Sequence, residues 1–399
     1  MLAPSPFIDQ DLVNFAHLNS VKEFTWDFPI DFDPTSISDF KSAYTSTLDF
    51  LLAKNASTAT FTTYISELER FLQWSLRVKD RHPFRLNESD LHEYFEFCRK
   101  PYSNWVGTSR QRKFISVEGK RVANYKWRPY VSMDGKPASQ VSIKKSFATI
   151  SSYYAYLGKT GVIKGSPFQV MESKQYNPRT KQVNTVTRVF SVRETKLLES
   201  TLDKLVESDE KYTRERFIIV AMLHMYLRVS DLAPYKDEIP QMCDFFYRRD
   251  INWSFVAYGK GNKERTIPAN SAVMAALVSY RNHLNLDDYP GCMEDNPLIQ
   301  TRGGNGPIKS TRQLYNIVKD VIAVAKATAV KEKWKSWEMG ALDKASAHWL
   351  RHTGITKGVK TRDLQHVRSD AGHASLGTTS QYSHSDELER HLSSELQVD

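Results

Sequence analysis

His348 and Arg351 stand three residues apart in "HWLRH", His373 follows in "SDAGHAS", and Tyr382 lies nine residues beyond it. Arginine forks match phosphate oxygens in bidentate fashion, and a phenolic oxygen can attack phosphorus to form an ester, so this grouping points to phosphate chemistry. Zinc is the competing chemistry. His348 and His352 at i, i+4 share a helical face, but the glutamate of HExxH is missing between them. Cys98, Cys243 and Cys292 are odd in number and far apart, which suits neither a zinc site nor a disulfide framework. The expectation is no metal and no cofactor. "GGNG" at 303–306 lacks the Lys-Ser/Thr ending of a P-loop, so no nucleotide site is expected either.

The elements that must carry these residues can be read from periodicity. With 399 residues the chain should form two domains. Residues 1–37 read as an acidic N-terminal arm and 38–170 as a helical domain. Within the latter, one helix covers 38–54, and Phe61, Tyr64, Ile65, Leu68, Phe71 and Leu72 mark a second to about Val78. "NESDLHEYFEFC" makes a third, capped by Asn87 or Ser89, and Ile143, Phe147, Ile150, Tyr154 and Leu157 a fourth, stopped by Gly158 and Gly161. Residues 171–189 are polar and unpatterned, a linker. The second domain, 190–399, opens with a capping box, Ser191 and Glu194. There "RFIIVAMLHMYL" is an apolar helix running into Arg228. "CDFFYRR", "WSFVAYG" and "RTIP" are short strands, with "GKGN" as the turn between the last two. Helices return at 271–284, 310–328 and from 346, where a Ser346 cap would put His348 and Arg351 on one face. The fold class is therefore an all-α N-terminal domain followed by a mixed α+β, mainly helical domain with a small antiparallel sheet.

Charge is concentrated rather than spread. The net charge is +9, and residues 99–145 hold twelve Lys/Arg against Glu118 and Asp134, leaving 43 basic and 44 acidic side chains elsewhere. Interleaved with Tyr102, Trp105, Phe114, Tyr125, Trp127 and Tyr130, this basic insertion at about 99–138 suits a phosphate backbone. Arg110, Arg112, Lys113, Arg121, Lys126 and Arg128, with Lys144 and Lys145 beyond them, are the candidate DNA contacts. No window approaches the ~18 apolar residues of a membrane span, and the first residues do not read as a secretory signal. A cytoplasmic, nucleoid-associated protein with no membrane partner is expected.

Four motifs in order then make the chain resemble the tyrosine recombinases, the phage-integrase and Xer-like family. They are "YLRVSDLAP", with Arg228 and Asp231, "YGKGNKERTIP", with Lys260, "HWLRH", with His348 and Arg351, and "GHASLGTTSQY", with His373 and Tyr382. Taken singly, each residue would pass as an ordinary surface or helix-end side chain. The resemblance spans roughly residues 40–399 and implies a SAM-like helical core-binding domain ahead of a catalytic domain. Two departures stand out. "TGITKGVKTRDLQHV", with Gly354 and Gly358, replaces the long apolar helix common after the third motif. The basic insertion is also larger than a compact Xer-like chain needs.

What the resemblance implies is site-specific cleavage and rejoining of DNA through a 3′-phosphotyrosine, for integration, excision or resolution. Tyr382 is the nucleophile, Arg228 and Arg351 hold the phosphate, and His348 is the base. His373 donates to a phosphate oxygen, Lys260 rather than Lys263 protonates the leaving oxygen, and Asp231 orients Arg228 or His348. The implied partners are double-stranded DNA with inverted-repeat sites, a homotetramer on synapsed DNA, and an accessory or partner recombinase. The alternatives are a type IB topoisomerase-like nicking-resealing enzyme and a non-catalytic DNA-binding accessory factor.

Overall fold

The computed structural model describes residues 4, 6–8, 40–54, 58–132, 137–169, 171, 188–234, 238–259, 263–304, 306–373 and 379. The acidic arm beyond Ile8, most of the linker, Lys260, Tyr382 and the tail that follows it lie outside the described residues, as does the side chain of Arg121. The chain divides into two units, 1–184 and 185–399, each with its own core.

The first unit is built on α1 (Phe40–Ala53), α2 (Thr58–Arg77), α3 (Glu88–Arg99) and α4 (Gln140–Lys159). Phe61, Ile65, Leu68 and Leu72 recur at helical spacing along α2 and are all buried. Asn87, not Ser89, caps α3: its Oδ1 accepts the Asp90 N–H at 3.0 Å, and Asp90 Oδ2 accepts the Asn87 N–H at 2.9 Å. Helix α4 passes through Gly158 and is stopped beyond it, where Gly161 takes φ +75°. The core is aromatic, with Tyr94 and Tyr154 set edge-on to Phe71 at centroid distances of 5.2 and 6.0 Å.

The basic insertion is more ordered than its composition suggests. It contributes β1 (Val106–Gly107), β2 (Phe114–Val117), β3 (Lys120–Ala123) and β4 (Tyr130–Val131). β1 pairs with β4 in parallel, while β2 and β3 form an antiparallel hairpin from Phe114↔Ala123 to Val117↔Lys120. Its two loop residues, Glu118 and Gly119, have φ +50° and +77°, the pattern of a type I′ turn, whose twist matches that of paired strands. The helical core thus carries a small β appendage that helical periodicity could not reveal.

The second unit contains α5 (Val192–Ser208), α6 (Thr213–His224), β5 (Phe245–Arg248), β6 (Asn252–Gly259) and β7 (Lys263–Pro268). These are followed by α7 (Ser271–His283), α8 (Thr311–Lys331), α9 (Gly340–Lys344), α10 (Ala347–Thr361) and α11 (Leu364–Ala371). The Ser191–Glu194 capping box forms, and Glu194 Oε1 also accepts the Ala341 and Leu342 N–H groups, tying α9 to the start of α5. The three strands pair antiparallel in the order β5-β6-β7, and the β6–β7 ladder runs from Ser254↔Pro268 to Gly259↔Lys263. Phe217, Ile218, Leu277, Leu314, Val318 and Leu350 fill the core beneath. No helix among the described residues is long and apolar enough to cross a membrane.

Candidate active site

Helix α6 does not run into Arg228. It ends at His224, and Tyr226 takes φ +55°, a left-handed conformation unusual for an aromatic residue. The chain turns there, and Arg228 leaves in extended geometry (φ −79°, ψ 154°) to begin the 3₁₀ turn Val229–Asp231. Arg228 is therefore presented from an extended strand-like residue and is not complementing a helix dipole. Asp231 holds this turn: its Oδ2 accepts the Arg228 backbone N–H at 2.7 Å and Arg265 Nη2 at 2.5 Å. The carboxylate thus fixes the backbone of Arg228, and no bond to His348 is among its described contacts.

Tyr226 is the hub on which α10 docks. Arg351, 2 % exposed, donates from Nη1 to the Tyr226 carbonyl and from Nη2 to the Ala371 carbonyl at 2.6 Å. Gly354 and Gly358 leave room for Tyr226: a Cβ on Gly354 would overlap the Leu223 carbonyl oxygen and stand 3.1 Å from Tyr226 Cδ1, and one on Gly358 would stand 2.9 Å from Tyr226 Cζ. The "TGITKGVK" stretch is therefore a close-packing surface, two glycines one turn apart, with buried Ile355 packed beside Tyr226. Arg362 completes the arrangement, reaching the Tyr226 hydroxyl at 3.1 Å and Asp370 Oδ2 at 2.7 Å. Ser346 occupies the cap position of α10, but its side chain makes no capping bond.

Helix α11 ends at Gly372 in the left-handed conformation (φ 61°, ψ 46°), which turns the next residue, His373, back toward Arg351. A side chain at Gly372 would also meet Arg265 Cδ at 3.2 Å. His373 Nε2 lies 3.2 Å from Arg351 Nη2, and Nδ1 lies 2.9 Å from Thr379 Oγ1. A guanidinium only donates, so Nε2 accepts and the neutral ring carries its proton on Nδ1, facing Thr379. Burial, with Arg351, Arg228 and Arg265 nearby, pulls the His373 pKa down to about 4. His348 is lowered too, by burial first and then by Arg351 and Arg228, and both rings stay neutral at neutral pH. The arginines act on both histidines, so Arg228, His348, Arg351 and His373 share one locus.

Sequence reasoning missed several residues here. His352 packs edge-on against His348 with ring centroids 4.5 Å apart, and burial and His348 bring its pKa to about 4. Arg265 bonds Asp231 and, through Nε, the Asp370 carbonyl at 3.1 Å. Strand alternation could have found it: Arg265 pairs with buried Ala257 two positions from buried Ile267, which puts a charged residue on the inward face of β7. Lys263 closes the ladder opposite Gly259 and so belongs to the strand, whereas Lys260 lies outside the described residues.

In the first unit a groove of about 1590 Å³ is lined by Arg70, Arg99, Arg110, Arg112, Arg128 and Lys145, among others. Arg110, Arg112, Lys126 and Lys145 are exposed, and Lys144 is half-buried. Lys113 is instead committed to the protein, 3.1 Å from Glu69 Oε2, and Arg128 donates to the Tyr125 and Trp127 carbonyls, both at 2.7 Å.

Residues 195–389 match the phage integrase family. The chain is 27% identical over 322 residues to the tyrosine recombinase XerC of Thermodesulfovibrio yellowstonii, covering 76% of this chain and 86% of that protein. It is 25% identical over 325 residues to XerC of Listeria innocua, covering 79% and 92%. Among solved structures, it resembles the XerH site-specific recombinase bound to palindromic difH substrate in a post-cleavage complex (TM-score 0.57, 17% identity, 92% of each chain). It also resembles the Tn1549 transposon integrase in complex with transposon right end DNA (TM-score 0.52, 14% identity, 89% of this chain and 99% of that one). At these identities the structural likeness speaks to the fold.

Proposed function

We propose that this chain, whose residues 195–389 match the phage integrase family, is a tyrosine recombinase that cleaves and rejoins duplex DNA at specific inverted-repeat sites through a 3′-phosphotyrosine. The observation that carries this reading is the Arg351–His373 contact at 3.2 Å, with Arg228 acting on the same histidine. Residues 38–170 serve as the core-binding module, 171–189 as the linker and 190–399 as the catalytic module.

In the reaction, Tyr382 Oη attacks the scissile phosphorus and its proton passes to His348, whose lowered pKa keeps it free to accept one. The P–O5′ bond breaks and Lys260 supplies the proton that makes the 5′-hydroxyl. The ester conserves the bond, so a partner 5′-hydroxyl can reverse the step. Arg228 and Arg351 stabilise charge on the non-bridging oxygens. Arriving phosphate draws an Arg351 N–H away from His373 Nε2, and the same anion raises the histidine pKa, so that Nε2 can take a proton and donate to phosphate. Asp231 is a positioning residue that fixes the Arg228 backbone. DNA is the substrate and partner, a homotetramer on paired sites the working assembly, and the DNA-containing cytoplasm the setting.

A suicide duplex nicked beside the cleavage site tests this reading. Covalent trapping followed by exchange between two sites is the expected result. Trapping with resealing alone indicates the topoisomerase-like alternative, and no trapping indicates an accessory DNA-binding protein.

Lys260→Ala should cleave ordinary DNA slowly yet recover on DNA with sulfur at the 5′-bridging position, because a thiolate leaves without a proton. Lys263→Ala should show neither effect; rescue that follows Lys263 would move the acid to the strand residue. Reversing the charges of Arg110, Arg112 and Lys126 should flatten the salt dependence of duplex binding, by about 0.9 in log–log slope for each phosphate no longer neutralised. An unchanged slope would leave these three as solvated charges.

A further inference from the structure

The acidic arm and the basic insertion have no part in the chemistry above, yet the structure joins them at Glu69 on α2. The Glu69 side chain is 1 % exposed. Its Oε1 accepts the Phe7 N–H at 2.7 Å, and its Oε2 accepts the Ile8 N–H at 2.8 Å. Gln73 Nε2 donates to Oε1 at 2.9 Å and Lys113 Nζ to Oε2 at 3.1 Å. A carboxylate offers about four acceptor sites, and half of the donors found here come from residues 7 and 8. Pro6 has no N–H and favours extended backbone, so within residues 6–8 the donors begin at Phe7.

The same segment reaches the insertion. Lys113 Nζ also donates to the Ile8 carbonyl at 3.4 Å, and Tyr44 Oη donates to the Phe7 carbonyl at 3.3 Å. Phe7 and Ile8 are both buried, and the Arg77 guanidinium stands over the Phe7 ring. Lys113 immediately precedes β2, and its carbonyl accepts the Asn124 N–H at 2.8 Å, closing the root of the β2–β3 hairpin. At the far end of the insertion Arg70, the next residue along α2, donates to the Pro129 carbonyl at 2.8 Å and covers the Tyr130 ring. Helix α2 therefore grips the insertion at two points, and the grip at the hairpin root includes the backbone of residues 7 and 8.

We propose that residues 6–8 are an internal strap with Glu69 as its receptor, and that the strap fixes the basic hairpin in the orientation in which it binds duplex DNA. Without the strap, Glu69 is a buried charge left with Gln73 and Lys113, and Lys113 at the hairpin root loses the Ile8 carbonyl. The proposal rests on the reading that the hairpin contacts DNA, so its test separates the two.

The full chain is compared with Glu69→Gln, with deletion of residues 1–8, and with both changes. Hydrogen exchange at the amides of 114–123 reports the strap without DNA, and titration of a half-site duplex reports its consequence. Either single change removes charge-assisted bonds and is expected to speed exchange about tenfold and to weaken DNA binding by a similar factor. The double change should add little, because both remove the same bonds. A peptide of residues 1–12 added to the deleted chain should slow exchange again. Unchanged exchange in the deleted chain, or fully additive effects, overturns the strap. Faster exchange with unchanged DNA affinity overturns the coupling, provided that charge reversal at Arg112 and Lys126 does weaken binding. If that reversal is silent as well, the DNA contact has failed and the strap stands.

Discussion

Tyr382→Phe is expected to abolish the covalent protein–DNA adduct completely while leaving affinity for the site unchanged. The substitution removes one oxygen and keeps the ring, so whatever the ring packs against is retained. On the same reading, affinity comes mainly from phosphate contacts elsewhere, which the change does not touch. On the proposed mechanism the loss should be total, because among the described residues at this locus Arg228 and Arg351 only donate, and His348 and His373 are assigned to proton and phosphate handling. The measurement is a denaturing gel of the nicked suicide duplex, run beside a native gel for binding. An adduct that survives would mean that another residue attacks, and it should then be sought near Arg351 and His373.

Gly354→Ala should be the most damaging single methyl addition in the catalytic unit. The new Cβ would overlap the Leu223 carbonyl oxygen and lie 2.9 Å from the Leu223 carbonyl carbon, so backbone rather than a flexible side chain would have to yield. Overpacking of this kind costs about 3 kcal/mol, equivalent to a fall of roughly 10 °C in Tm for a unit of this size. Activity should fall further than stability, because α10 carries both His348 and Arg351, and the α6–α10 contact sets where Arg351 meets the Tyr226 carbonyl. Gly158→Ala provides the control. It too is a helical glycine, but nothing lies within 4 Å of its added Cβ, so the same methyl should be neutral or stabilise by about 0.5 kcal/mol. Thermal melts and cleavage rates for the two variants decide the point. A Gly354→Ala protein that melts within a degree or two of the parent would mean that α6 and α10 are not in contact as described.

The proposed chemistry is legible in the sequence because it would be carried by residue types in a fixed order. Arg228, His348, Arg351 and His373 stand out by type and order alone, and the fold brings them to one locus. Helical and strand periodicities, which are local properties of the backbone, likewise place the capping box at Ser191 and the three strands that precede α7. Other features depend on which distant groups meet when the chain closes on itself. Gly354 and Gly358 read as helix-weakening residues until Tyr226, in its left-handed turn, is found against them. Arg265 reads as one more charge in "KER" until Asp231 and the Asp370 carbonyl receive it. Lys113 reads as a DNA contact until Glu69 and Ile8 claim it, 44 and 105 residues away along the chain. The proton on His373 follows the same logic, since only the approach of Arg351 to Nε2 places it on Nδ1. A sequence lists donors and acceptors, but burial decides which of them must pair, because an unpaired buried charge costs more than any local preference can return.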